Sequence, residues 1–446
     1  MKRSRSAASN EAGRRHSRFH RYTSLWWVLA ALLCCIAGVL IWRQSGGDRS
    51  ASNRQPRPPV AHAVSPVGPT PYLNAQAESK YVGSSECAEC HADRHATYLH
   101  TAHSRSMSLV EVAHEPGDGV IDHAASGRRY QSYYRDGQLR HRESLVSHKG
   151  EELTLCDYPM KYLVGSGRFS RTYLLEDQGF LVESPLTWYA SPRAWGISPG
   201  YDVREHQGFH RTIVGACLYC HAGRLERVES NDEIVRVPEM AIGCERCHGA
   251  GSLHVAKWTD RAATAEASGD LTIVNPRRLP RDRAEAICHQ CHLGGQTQIA
   301  VRGRSPAEFR PGLRWQDFAI DYGFESPGTG MSVVGHVEQL HASRCYQESD
   351  RLTCTTCHNP HATVAPGELV AYHRAICLSC HADSACGVVL AERTATNSND
   401  CTACHMPQSP TDVPHVAFTH HRIGIHDPAA PQLAAAASFR RLAPIL

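Results

Sequence analysis

The sequence predicts a mainly α and irregular fold with a small antiparallel β insertion and one N-terminal transmembrane helix. Three observations carry that expectation. A five-residue Cys/His motif recurs seven times, mostly at short spacing. An uncharged run of 18 residues follows a basic leader. The one long gap between motifs holds two hairpin signals.

The leader, residues 1–24, carries Lys2, Arg3, Arg5, Arg14, Arg15, Arg18 and Arg21 against the single acid Glu11. Leu25–Trp42 contains no charge and is just long enough to span a bilayer as a helix. Trp26, Trp27 and Trp42 stand near its ends, where amphipathic rings favour the interface. The cationic flank predicts a single-pass protein of the bacterial inner membrane, with its bulk in the periplasm or outside. A cleaved signal peptide is the competing reading, but no small-x-small site follows the apolar run. Cys34 and Cys35 then count as apolar membrane residues. Residues 43–80, with Pro56, Pro58, Pro59, Pro66, Pro69 and Pro71, read as a flexible Pro-rich linker.

The chemistry rests on Cys and His. Among 446 residues there are 19 Cys and 29 His, and only 41% are apolar. The low apolar fraction implies that something besides aliphatic side chains fills the core. A net charge of +3, with no basic patch interleaved with aromatics, gives no case for nucleic acid. The motifs are Cys87-Ala-Glu-Cys90-His91, Cys217-Leu-Tyr-Cys220-His221, Cys244-Glu-Arg-Cys247-His248 and Cys288-His-Gln-Cys291-His292. Cys354-Thr-Thr-Cys357-His358, Cys377-Leu-Ser-Cys380-His381 and Cys401-Thr-Ala-Cys404-His405 complete the set. Two thiols three residues apart lie on one turn and add to the two vinyl groups of one haem. The adjacent His reaches the iron from the proximal side, so CxxCH reads as c-type haem attachment. Zinc ribbons pair such knuckles and have no need of a His after each, and disulfides need none either. Seven copies predict seven covalently bound haem c groups, with His91, His221, His248, His292, His358, His381 and His405 as proximal iron ligands.

Each iron has a second axial position. Six Met residues are available, one of them Met1, whereas His is abundant, so a second His is the expected distal ligand. His254 in CHGAGSLH and His361 in CHNPH lie too near their own motifs to fold back over the same haem. They are expected to reach neighbouring haems and so lock haems into close pairs.

The steps between first cysteines are 130, 27, 44, 66, 23 and 24 residues. The short steps leave room for little more than a helix and a loop, so the haems must form much of the core. In the long first step, Tyr130–Arg142 has a central Asp-Gly and Arg171–Tyr189 a Gln-Gly turn, which defines a β-rich insertion over about 116–200. Pro280–His292 reads as a helix opening on Pro and delivering the fourth motif. The 81–426 stretch is then the haem domain, and 427–446 an Ala/Pro-rich, loosely attached tail. Cys156, Cys345 and Cys386 stand outside every motif, either paired or as free thiols.

The stretches YVGSSECAECH…TAHSRSM, KYLVGSGRFSRTYL, ESPLTWY, SPGYD, CHGAGSLHV, GHVEQLHASRCYQES, LTCTTCHNPH and CHMPQSPTDVPHVAFTHHRIGIH cover most of residues 81–426. They resemble the cytochrome c554-like branch of the hydroxylamine-oxidoreductase-related multihaem cytochromes. In that superfamily the module is often found with tetratricopeptide repeats, and none follows here. The resemblance implies a haem-packed multihaem cytochrome fold, with distal ligands mapping onto His103, His254, His336, His361, His415 and His421. Tyr98 and Thr101 replace the Trp and Ser that relatives carry ahead of the position of His103, and His420 stands beside His421 as an alternative. Six mapped ligands serve seven haems. His148, His210, His341 or His373 supplies the seventh, or one haem stays five-coordinate.

Two functions fit these residues. The favoured one is an electron carrier, passing electrons between a membrane-side, quinol-linked donor and a periplasmic redox partner. The alternative is an oxidoreductase acting on a small nitrogen or sulfur compound at one five-coordinate haem. No catalytic residue is assigned. Tyr162, Arg168, Arg171 and Tyr189 of the insertion are pocket candidates, with a structural role favoured for each. Redox partners beyond these classes and the oligomeric state are not encoded in any motif.

Overall fold

A computed structural model describes residues 67–446 except 229–230, 261–268, 325–333, 412, 427–440 and 446. Nine strands between the first and second motifs build its largest β region. They are β1 (Met107–Leu109), β2 (Gly119–His123), β3 (Arg128–Arg135), β4 (Gln138–Val146), β5 (Glu152–Pro159), β6 (Tyr162–Val164), β7 (Ser170–Asp177), β8 (Phe180–Tyr189) and β9 (Ala194–Ile197). One antiparallel sheet runs β2-β3-β4-β5, and a second runs β1-β6-β7-β8-β9.

Local chemistry sets the register. Arg135 pairs with Gln138 across Asp136-Gly137, whose φ values are 52° and 71°. Asp177 pairs with Phe180 across Gln178-Gly179, at 51° and 89°. Two successive left-handed residues match the twist of the flanking strands, and Gly meets that demand without steric cost.

The two sheets share one core. Tyr130 and Leu139 of the first pack with Tyr173, Leu175, Val182, Leu186 and Trp195 of the second. Leu174 and Leu181 belong to a different cluster with Met107, Ile213, Leu218, Ala222 and Val235. β7 and β8 therefore lie between two apolar layers, which explains why β8 is buried almost throughout instead of alternating. The outer layer includes the short helix Gly215–Leu218, so the sandwich is the platform that carries the second motif.

A third core centres on the helix Arg281–His292 and gathers Tyr72, Val274, Ala286, Leu293, Phe309, Trp315, Phe318 and Val337. That helix begins after Pro280, as its sequence predicts.

Four expectations are corrected. Helix accounts for 31% and strand for 27%, in five sheets, so the fold is mixed and not mainly α with a small β insertion. The reason is that much of the extra strand is short and remote in pairing: Thr297–Ala300, Ala319–Phe324 and Leu442–Pro444 form one sheet. No helix among the described residues is long and apolar enough to cross a membrane, which argues against the single-pass inner-membrane placement. The longest described helix has 12 residues, or roughly 18 Å, against the ~30 Å of a hydrocarbon core. The run Leu25–Trp42 lies outside the described residues. Residues 67–80, read as the end of a linker, pack into the third core through Tyr72 and Ala75. Leu442–Pro444, within the expected loose tail, pairs with Tyr322–Phe324.

Candidate haem-binding sites

Each motif starts on, or at the N-cap of, a helical segment, and at least four close a full helical turn from first Cys to His. The His91 amide donates to the Cys87 carbonyl at 2.9 Å, His248 to Cys244 at 3.0 Å, His358 to Cys354 at 3.0 Å and His381 to Cys377 at 2.9 Å. One helical turn puts the first thiol and the His on one side of the chain. This is the geometry that a macrocycle bound by two thioethers and one imidazole requires.

The motifs are tied together in space. Glu245, beside Cys244, is buried and accepts from the amides of Val82, Gly83 and Gly251 at 2.7–3.1 Å, which fixes the entry to the first motif. The Ser106 hydroxyl donates to the His221 carbonyl at 2.7 Å and accepts from the Ile242 amide at 3.1 Å. Tyr98 donates its hydroxyl to the Ile242 carbonyl. Arg246 donates to the Tyr219 carbonyl at 2.8 Å and lies over the Tyr219 ring, and Gln290 donates to the Arg246 carbonyl at 3.2 Å. Thiols of different motifs are close neighbours that perturb one another: Cys87 and Cys244, Cys220 and Cys291, Cys288 and Cys354, and Cys377 and Cys401. Cys247 lies within electrostatic reach of Cys291, and Cys377 of Cys357.

Two imidazoles on opposite sides of one iron have ring centres roughly 6 Å apart, from a ~2 Å metal–nitrogen bond and ~1 Å within each ring. Several histidine pairs have that spacing. His91 and His254 lie 6.3 Å apart with planes 13° from parallel, and His248 and His361 lie 5.8 Å apart at 19°. His292 faces His103 at 6.1 Å and His336 at 5.4 Å. His358 faces His421 at 6.0 Å and His373 at 6.3 Å. His421 also contacts His336 at 4.6 Å, whereas His420 turns to His426, so His421 is the member of that pair among the other candidates. His415 lies against the Tyr189 ring at 5.0 Å and contacts no motif histidine. Among the described residues, no ring contact joins His221, His381 or His405 to a second histidine.

The free nitrogens fit ligation. The second nitrogen is occupied in several rings: His254 Nδ1 by Asp270 at 2.8 Å, His248 Nδ1 by the Val274 carbonyl at 2.8 Å, His405 Nδ1 by Gly424 at 2.9 Å and His421 Nδ1 by Thr419 at 2.8 Å. An acceptor at Nδ1 fixes the tautomer and leaves Nε2 for a metal. Desolvation holds His292 and His358 down to about 4 and His336 to about 3, and lowers His103, His221, His248 and His421. Neutral imidazole is the ligating form. The helices Cys354–Cys357, Leu369–Leu378 and Cys401–His405 bury no residue, so their apolar faces offer a planar macrocycle a surface to pack on. The residues present therefore fit covalent haem.

Three cysteines fall outside this scheme. Cys156 is half-buried on β5, Cys345 is half-buried, and Cys386 is exposed; all are free thiols. Sequence reading missed one cluster, Glu285, His289 and His341. His289 is the variable residue of CHQCH and Glu285 lies one turn before it, a spacing that was visible but masked by the motif itself.

Comparison with known proteins matches the repeated motif to a family. Residues 348–385 match the family described as doubled CXXCH motif. The chain is 20% identical over 394 residues to the dissimilatory sulfite reductase MccA of Wolinella succinogenes, covering 74% of this chain and 51% of that protein. It thus spans about half the length of this relative. The outer cell wall cytochrome OcwA matches with a TM-score of 0.47 and 15% identity, over 77% of this chain and 79% of that one. The repeated attachment turns, the fitting histidines and the matched doubled motif make this chain a multihaem c-type cytochrome with covalent haem c.

Proposed function

We propose that the chain carries seven haems and relays electrons between redox protein partners. The observation that carries this reading is the closeness of thiols of different motifs. Cys87 with Cys244, Cys220 with Cys291, Cys288 with Cys354 and Cys377 with Cys401 bring attachment points of different motifs close enough to perturb one another. Haems anchored at such neighbouring thiols would lie close to one another, and tunnelling falls exponentially with edge separation. Together with the nearness of Cys247 to Cys291 and of Cys357 to Cys377, the motifs run in the spatial order first, third, fourth, fifth, sixth, seventh. The second joins at the fourth, which makes the fourth a branch point. His254 serves the haem of His91, and His361 the haem of His248. His103 and His336 compete for His292, and His421 and His373 for His358.

A second reading is a reductase or oxidase of a small sulfur or nitrogen compound. It is favoured by the sulfite-reducing relative and by the lack, among the described residues, of a histidine ring contact at His221, His381 and His405. An open axial position is what such chemistry needs. The ferric electron paramagnetic resonance spectrum of the haem-loaded protein separates the two. Only low-spin signals support the relay. A high-spin signal that changes on adding sulfite, nitrite or hydroxylamine refutes a pure carrier.

A further inference from the structure

We propose that Glu285, His289 and His341 hold one divalent transition-metal ion beside the fourth and fifth motifs. Glu285 and His289 stand one turn apart on the helix Arg281–His292, and His341 ends the helix His336–His341. Their ligand atoms all lie within 4.8 Å of one another, and His341 Nε2 is already 3.2 Å from Glu285 Oε2.

The second observation is His289 itself. It is only 4% exposed, and neither ring nitrogen has a hydrogen-bond partner. Glu285 is 3% exposed, and its Oε1 is likewise without a hydrogen bond. Buried polar groups are almost always satisfied, and an orphan of this kind points to a missing partner such as an ion. Two imidazoles and a carboxylate suit a first-row transition ion better than magnesium or calcium, which prefer oxygen.

The surroundings hold this ligand set in place. Tyr346 donates its hydroxyl to Glu285 Oε2 at 2.7 Å, and its ring stacks on His341 at 4.2 Å. Arg281 is the competing cation, with Nε 3.6 Å from Glu285 Oε1. Its Nη donors are taken by the carbonyls of Ser349 at 2.6 Å and Tyr346 at 3.3 Å. Outer partners that orient a ligating carboxylate in this way are a common feature of metal sites. The site lies beside Cys288, a close neighbour of Cys354, so an ion here ties the helix of the fourth motif to the approach to the fifth. This assignment takes His341 out of the pool of distal haem ligands, and it stands whether or not all seven motifs are loaded.

The test uses the haem-loaded full chain, stripped with a chelator, desalted and equilibrated with zinc. Zinc is counted against haem iron by mass spectrometry. One zinc per chain is expected. Glu285→Gln and His289→Gln should each weaken it at least ~10-fold, and Tyr346→Phe, a mild change in the outer shell, by up to ~10-fold, with haem iron unchanged. No stoichiometric zinc overturns the proposal, as does wild-type zinc affinity in the Glu285 and His289 variants. A His341→Asn variant that converts a low-spin haem to high-spin also overturns it, because His341 would then be an iron ligand.

Discussion

Asp270→Asn should raise the potential of the haem held at Cys87 and Cys90. Asp270 accepts from His254 Nδ1 at 2.8 Å, from Trp258 Nε1 at 2.6 Å, and from the amide and hydroxyl of Thr272 at 2.9 and 2.6 Å. Partial burial alone would raise its pKa, but the hydrogen bonds from Thr272, Trp258 and His254 hold it well below the usual carboxylate range. It is therefore a fixed negative charge behind the imidazole that faces His91. The 2.8 Å contact plus ~4 Å across the ring and the metal bond puts that charge about 7 Å from the iron. At an effective dielectric constant of ~20, such a charge favours the ferric state by roughly 2.4 kcal/mol. Lys257 Nζ, 3.4 Å from the same carboxylate, cancels part of this field. Halving the effect for that leaves about 1.2 kcal/mol, or ~50 mV for one electron. Removing the charge destabilises ferric iron, so the potential moves up. A spectroelectrochemical titration of wild type and variant would show one component shifted by that amount. If no component moves by more than ~10 mV, either His254 does not ligate that haem or the carboxylate does not tune it.

Two further outcomes concern the β sandwich. Gly137→Val forces a β-branched residue into the left-handed conformation at φ 71° and should destabilise the β3–β4 hairpin by at least ~1–2 kcal/mol, read by urea unfolding under far-ultraviolet circular dichroism. An unchanged midpoint would contradict the turn. His141 is fully buried between Tyr173 and Trp195, with Nδ1 on Ser184 at 2.7 Å, and burial pushes its pKa down to about 3. The unfolded chain takes up that proton below ~6.5 and the folded chain does not, so stability falls by up to ~1.4 kcal/mol per pH unit as pH drops from 6.5 towards 3. His141→Gln should flatten the acid slope over that window, and a variant with the wild-type slope would refute the assignment.

Much of this was legible in short stretches of chain. CxxCH needs five residues, and the Asp136-Gly137 and Gln178-Gly179 turns need two each, so local chemistry decides them. The β content was harder to read because three-residue strands such as Met107–Leu109 and Leu442–Pro444 are too short to show a period of two. Their partners also lie far away: Leu442 pairs with Phe324 and Met107 with Val164. β8 hides its period because both faces are covered. The histidine pairs depend on how distant segments meet. His254 and His361 face His91 and His248 across motifs, but His415 rests on Tyr189, a contact that no spacing rule encodes. The burial of Tyr72 was masked by its Pro-rich surroundings, which read as linker, although Asn74 donates from that segment to the His248 carbonyl at 2.8 Å.

The central claim is that all seven CxxCH turns hold haem. The intact mass of the denatured protein tests it directly, because thioether-linked haem survives unfolding. Seven haem additions per chain are predicted, and a double Cys401→Ala, Cys404→Ala variant should show six. A wild-type mass with fewer than seven, or with unmodified cysteines at any motif, would contradict the account.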